Sequence, residues 1–126
     1  MADLLIPVSV GELIDKITIL ELKRACLQGA ALEHVLRELS ALEGVLATAS
    51  LQPEPELLQQ LRQVNAELWR IEDDIREQER LQEFGERFVA LARSVYRTND
   101  RRAALKRALN DHHGSALIEE KAYRPY

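Results

Sequence analysis

The sequence predicts an all-α protein, an antiparallel bundle of four helices forming a single helical domain over residues 1–126. Leu, Ala, Glu and Arg dominate while Gly, Pro and aromatics are sparse, a composition that favours helix and leaves little for a sheet to use. Apolar residues recur every three or four positions, most clearly at Leu57, Leu61, Val64, Leu68, Ile71 and Ile75, which form one seam of a helix. The two prolines of the QPEPE string at 52–56 make the clearest break, because each lacks a donor and pushes its predecessor out of the α region.

Leu4, Leu5 and Ile6 are too few to form a stable element and are expected to lie extended against the bundle, stopped by Pro7. SVGE at 9–12 reads as a capping box: the Ser9 hydroxyl takes the Glu12 N–H, the Glu12 carboxylate returns to Ser9, and Val8 with Leu13 forms the staple. The first helix then runs to about Leu27, with Gly29 as a left-handed stop. It is apolar on two faces: Val10, Leu13, Ile14, Ile17 and Leu20 on one, Ile19, Leu22 and Cys26 on the other. Such a helix is central or is covered by a partner chain, which admits a homo-oligomer.

A second helix over about 31–48 reads as packing material, with Leu32, Val35, Leu36, Leu39, Leu42 and Leu46 at helical spacing. A third over about 56–81 and a fourth ending at Gly114, joined by a short turn at 82–85, form a long hairpin. The seam of the fourth is Phe84, Phe88, Leu91, Val95, Leu105 and Leu109, interrupted by Thr98 and Arg102. Asn99 and Asp100 can bond their own backbone, so a kink or a fresh cap there competes with one continuous helix, which is the expectation. Residues 115–126 have space for one helical turn and then an extended end that Tyr123 and Tyr126 dock on the bundle.

A quarter turn from the third helix's seam lie Asn65, Trp69, Glu72 and Arg76, and at the same offset on the fourth lie Tyr96, Asn99, Lys106 and Asn110. In an antiparallel pair these rows share a flank, with Glu72 and Asp73 near Arg93, Trp69 near Tyr96, and Asn65 near Asn99 and Arg102. Glu12, Asp15, Lys16 and Thr18 complete the set if the first helix lies over it. Lys106 and Arg102 suit a phosphate or carboxylate, and Trp69 with Tyr96 suits a ring, so a small anionic ligand with a planar or sugar part is one expectation. The other is a closed polar network that fixes which helices pair.

The net charge of −4 argues against nucleic acid as the main partner. A lone Cys26, expected to be a buried small residue, excludes an internal disulfide and fits a reducing cytoplasm. No run is long enough to span a bilayer, so no membrane insertion is expected. Glu12, Asp15, Glu72 and Asp73 are the carboxylates a divalent metal would use, but no Glu-x-x-His accompanies them, and neither a metal site nor a cofactor is the primary expectation. His112 and His113 read as a solvated helix end. Catalytic triads, glycine-rich phosphate loops and nucleophile elbows are missing from the sequence.

SVGELIDKITIL at 9–20, LWRIEDDIR at 68–76, ARSVYRTNDRRAALK at 92–106 and GSALIEEKAY from 114 together resemble a family of small uncharacterised bacterial all-α proteins. The resemblance covers nearly the whole chain and implies a stand-alone bacterial helical protein, sometimes found near genes for cell-surface saccharide synthesis. It carries over no catalytic residue. The spacing of Asn65, Leu68, Trp69, Glu72, Asp73 and Arg76 is also similar to a string in another uncharacterised bacterial family. The expected function is therefore a non-enzymatic binding or accessory module for a small anionic ligand or a protein partner. The alternative is metal-assisted or acid–base chemistry on a phosphorylated or nucleotide substrate.

Overall fold

The computed structural model describes residues 2–126, which form α1 (Val10–Cys26), α2 (Gly29–Thr48), α3 (Pro55–Arg80) and α4 (Glu86–His113), with no strand among them. The chain is all-α, as its composition predicts, and the four helices pack as a bundle with α3 and α4 as its long hairpin.

Each helix stops or starts where local chemistry dictates. Ser9 Oγ accepts the Glu12 N–H at 3.1 Å and opens α1. The capping box is only half made, because the Glu12 carboxylate is drawn instead to Lys106 Nζ at 2.7 Å. Gly29, at φ +63°, supplies the left-handed reversal into α2. Pro55 stands in the first turn of α3, where its missing N–H costs nothing, and the Glu54 carboxylate accepts the Leu57 N–H at 2.7 Å. At the other end of α3, Gln82 takes φ 57° so that Glu83 N–H reaches Gln78 O at 2.9 Å, a left-handed cap built without glycine. α4 runs unbroken through Asn99 and Asp100 to Gly114 at φ +62°.

α1 is the central helix. Leu13, Ile17 and Leu20 pack against Val35 and Leu39 of α2, while Ile14 packs with Leu61 of α3 and Leu109 of α4. All four α1 residues belong to the first of the two expected apolar faces; on the second, Ile19 and Leu22 are only partly buried and Cys26 is exposed. α2 neighbours α1 alone among the helices, although its Leu46 reaches both clusters. Side chains buried as completely as Ile14, Leu61 and Leu109 are worth about 1.5–3 kcal/mol each. The hairpin register is marked by Glu67 with Arg101 at 2.7 Å and Asp74 with Arg87 at 3.7 Å.

The start of α1 is docked on the end of α4. Gly11 N–H donates to Asn110 Oδ1 at 2.6 Å and Val10 N–H to Ser115 Oγ at 3.0 Å. With Ser9 capping Glu12, the open donors of the first turn are all satisfied within the chain.

Three local expectations are overturned. Leu4, Leu5 and Ile6 project into solvent and do not lie against the bundle. Cys26 is exposed, because it ends α1 where the chain leaves to begin α2. The tail contains no helical turn. Ser115 Oγ donates to Leu117 O at 2.7 Å, and Glu119 and Glu120 reach back to Lys106 and Arg107, which keeps the backbone extended.

Candidate functional site

Where α1 crosses the hairpin, the polar gap in the α4 seam is filled by α1's own polar face. Asp15 is fully buried, with Thr18, Asn65, Thr98, Lys106 and Asn110 buried close to the same degree. Asn65 Nδ2 donates to Asp15 Oδ1 at 2.9 Å and to Thr18 Oγ1 at 2.8 Å, and Thr18 Oγ1 donates to the Asp15 carbonyl at 2.7 Å. Arg102 closes the set with a two-point grip on the Asp15 carboxylate, its Nε at 2.9 Å. That hydrogen bond is the chief reason its pKa stands above the ordinary arginine value. Among the described residues no buried side-chain polar atom lacks a partner, so this network is closed and structural in form.

One turn along, Lys106 joins three parts of the chain: its Nζ lies 2.7 Å from Glu12 of α1 and 2.9 Å from Glu119 of the tail. Burial opposes its charge, but the hydrogen bonds to Glu12 and Glu119 outweigh that and raise its pKa. The hydrogen bond from Lys106 likewise holds Glu119 below the ordinary carboxylate value. Further out, Tyr126 Oη donates to Asp100 Oδ2 at 2.5 Å, and its ring meets Tyr96 edge to face at 5.1 Å between centroids. These side chains carry the tail, which makes no backbone bond to the bundle beyond Ser115 N–H to Asn110 O at 2.9 Å.

Between α4 and the tail lies a cleft of ≈ 570 Å³, lined by Val95, Tyr96, Asn99, Asp100, Arg102, Ala103 and Lys106 on one side and by Lys121 and residues 123–126 on the other. Its size is that of a small-molecule site. Four cationic side chains line it, Arg102, Lys106, Lys121 and Arg124, against the single side-chain carboxylate of Asp100. Arg102 and Lys106 are already paired at the floor and Lys121 meets Glu119 at 3.5 Å, whereas Arg124 takes part in no ion pair among the described residues.

The sequence-predicted residues divide into three groups. Tyr96, Asn99, Arg102 and Lys106 line the cleft. Asn65 and Asp15 belong to the buried network beneath it, and Glu12 holds Lys106. The remainder stand elsewhere: Trp69 is half-buried on α3 and does not line the cleft, Glu72 pairs with Arg76 of its own helix at 3.2 Å, Asp73 and Arg93 are exposed outside any ion pair among the described residues, and Lys16 meets Glu38 at 3.8 Å. The four carboxylates of the metal-assisted alternative do not converge, and no group of three His, Cys, Asp or Glu side chains among the described residues could hold a metal ion. His113 is not simply solvated, since its Nε2 accepts the Glu54 N–H at 3.1 Å and ties the end of α4 to the start of α3.

Sequence reasoning missed Glu119, Lys121 and Arg124. The closing string EEKAYRPY, dense in charge and tyrosine, was the signal that could have found them.

A family model described as "Family of unknown function (DUF6165)" matches residues 4–125. The chain belongs to that family. The matched span takes in the whole of this family member's bundle and all but the last residue of the tail that walls the cleft. No curated protein and no solved structure matches the chain. None of the helices is long and apolar enough to cross a membrane, among the described residues.

Proposed function

We propose that this protein is a non-enzymatic binding module, acting as one helical domain, whose site is the cleft between α4 and the C-terminal tail. The ligand is small and carries an anionic group and a planar ring. The observation that carries the reading is the cleft itself: a ligand-sized opening in which Arg102, Lys106, Lys121 and Arg124 face three tyrosines, Tyr96, Tyr123 and Tyr126. Guanidinium and ammonium groups bind phosphate or carboxylate oxygens, and the flat faces of tyrosine accept a ring. The rigid floor provided by Asp15 and Arg102 holds one wall, and the side-chain-anchored tail is the wall that adjusts.

Nucleoside diphosphates combine both ligand features, and a cytoplasmic protein would meet them. An accessory role beside cell-surface saccharide synthesis rests on the family resemblance alone and supplies one setting for such a ligand. Calorimetric titration with ADP, UDP, pyrophosphate and adenosine tests the reading. The diphosphates are expected to bind, and Arg124→Ala and Tyr96→Ala each to weaken them about tenfold, the scale of one charge-assisted bond or one stacked ring. Absence of binding by every probe at millimolar concentration, in the parent and in every cleft variant, would end it.

A second reading, a protein partner, is favoured by a different observation. Leu4, Leu5 and Ile6 are 76–91% exposed beside a recess lined by Val8, Leu117 and Ile118. Contiguous apolar exposure of this kind marks association surfaces. Sedimentation of the parent against a chain lacking residues 2–6 tests self-association: a monomer in both cases removes the homo-oligomer.

A further inference from the structure

We infer that the Glu119 carboxylate occupies the anion subsite of this cleft, standing in for the ligand's phosphate until a ligand displaces it. The inference rests on the reading of the cleft as a ligand site and names which atoms the anion takes.

Glu119 lies between two lysines, 2.9 Å from Lys106 and 3.5 Å from Lys121. Both lysines line the cleft. They also line a neighbouring recess of ≈ 260 Å³, to which Glu119 itself contributes. Glu119 does not itself line the cleft; from the recess side its carboxylate bridges two ammonium groups that the cleft also exposes, as an oxyanion entering the cleft would.

The two carboxylates on Lys106 differ in how they are held. Glu12 sits in the first turn of α1, whose N–H groups are bound to Ser9, Asn110 and Ser115, so its backbone is fixed beside Lys106 and only its side chain can swing aside. Glu119 is on a segment with no backbone bond to the bundle, held by side chains alone. Its departure breaks ion pairs and no helix. Lys106, buried to 7% exposure, and Lys121 would be left with the one carboxylate of Glu12 between them, a deficit of negative charge that an incoming phosphate makes good. A phosphate carries more charge than the carboxylate it replaces and offers three acceptor oxygens, enough for Lys106, Lys121 and Arg124 together.

Glu119→Gln removes the internal occupant while keeping its size. Pyrophosphate and ADP are expected to bind this variant at least about tenfold more tightly than the parent, with adenosine unchanged. Glu12→Gln is expected to gain less than threefold, since Glu12 does not occupy the subsite. Circular dichroism on both variants checks that the helices are retained.

Equal gains in the two variants would show that only net charge changed and would overturn the subsite. So would a Glu119→Gln affinity at or below that of the parent. If the parent binds ADP in a manner sensitive to Arg124→Ala and Tyr96→Ala but Glu119→Gln brings no gain, the cleft stands and the subsite falls. Binding by Glu119→Gln where the parent shows none supports both, and no binding by either overturns both.

Discussion

Gly11 and Asn110, 99 positions apart in the chain, are joined by a 2.6 Å hydrogen bond from the glycine N–H to the asparagine Oδ1. A Cβ at position 11 would lie 3.1 Å from that oxygen and would press on the Lys106 carbonyl at closer range than real Cβ atoms tolerate. Glycine is required here for close approach rather than for an unusual φ, and the contact aligns α1 with both the buried network and Lys106. Gly11→Ala is expected to cost about 1–3 kcal/mol by overpacking, and Asn110→Ala about 1–3 kcal/mol by stranding a buried N–H. Urea unfolding of both single variants and of the pair checks this, with the pair less destabilised than the sum because the two share one contact.

Asp15 and Arg102 are the second joint between α1 and α4. Removing either partner leaves the other with a buried or half-buried charge, so Asp15→Ala and Arg102→Ala are expected to destabilise by about 3–5 kcal/mol, Arg102→Ala the more because the carboxylate it strands is 1% exposed. A double-mutant cycle read by thermal unfolding should return a coupling of more than about 1 kcal/mol. Simple additivity would mean that the pair does not act as a unit.

The pH dependence follows from three groups with known directions. Burial, and then the charge of His112, lower the pKa of His113, whose neutral Nε2 accepts from Glu54; Glu54 pulls the other way but more weakly. A lowered histidine contributes stability that is complete above the ordinary value of 6.5 and is lost as pH falls below it, because the unfolded chain then binds the extra proton. Glu119, also lowered, contributes above its ordinary 4.5 and loses that contribution on further acidification. Lys106 is raised, so its contribution is complete below 10.5 and is lost as pH climbs past that. Unfolding free energy is thus expected to be level from about pH 7 to 10 and to fall on either side. His113→Gln should remove the first acid step, the one that begins as pH falls below 6.5. Persistence of that step in the variant would assign it to another group.

Exposed positions of α3 and α4 away from the cleft make a sharp negative control. Glu72→Ala, Arg76→Ala and Arg93→Ala alter exposed side chains that do not line the cleft, and each is expected to leave diphosphate affinity within about twofold and stability within about 0.5 kcal/mol. Calorimetry that found a tenfold loss in any of them would move the site from the tail side of α4 to the α3 side.

The relation of sequence to structure differs from element to element. Ser9, Gly29, Pro55 and Gly114 place helix ends through interactions within a few residues, so those ends are readable from local strings. That α3 and α4 form a hairpin is readable too, but its ion pairs are not: counting outward from the turn sets Glu72 beside Arg93, whereas the pairs formed are Glu67 with Arg101 and Asp74 with Arg87. The polar gap at Thr98 and Arg102 could be seen, but its filling by Asp15 and Thr18 required the position of α1. The missing half of the capping box has the same cause: Glu12 chooses between a local N–H and a distant ammonium, and no local string contains the distant one.

By itself the sequence determined the helical class, the number of helices, most of their ends and the family membership, because periodicity, caps and breaks act over four or five residues. Tertiary structure alone decided that α1 is central, that Asn65 turns inward to Asp15 while Glu72 stays with Arg76, and that the tail walls a cleft with Lys121 and Arg124. The first two rest on polar groups of α1 meeting partners 50 to 94 positions away. Their energies exist only once packing has excluded water from between them.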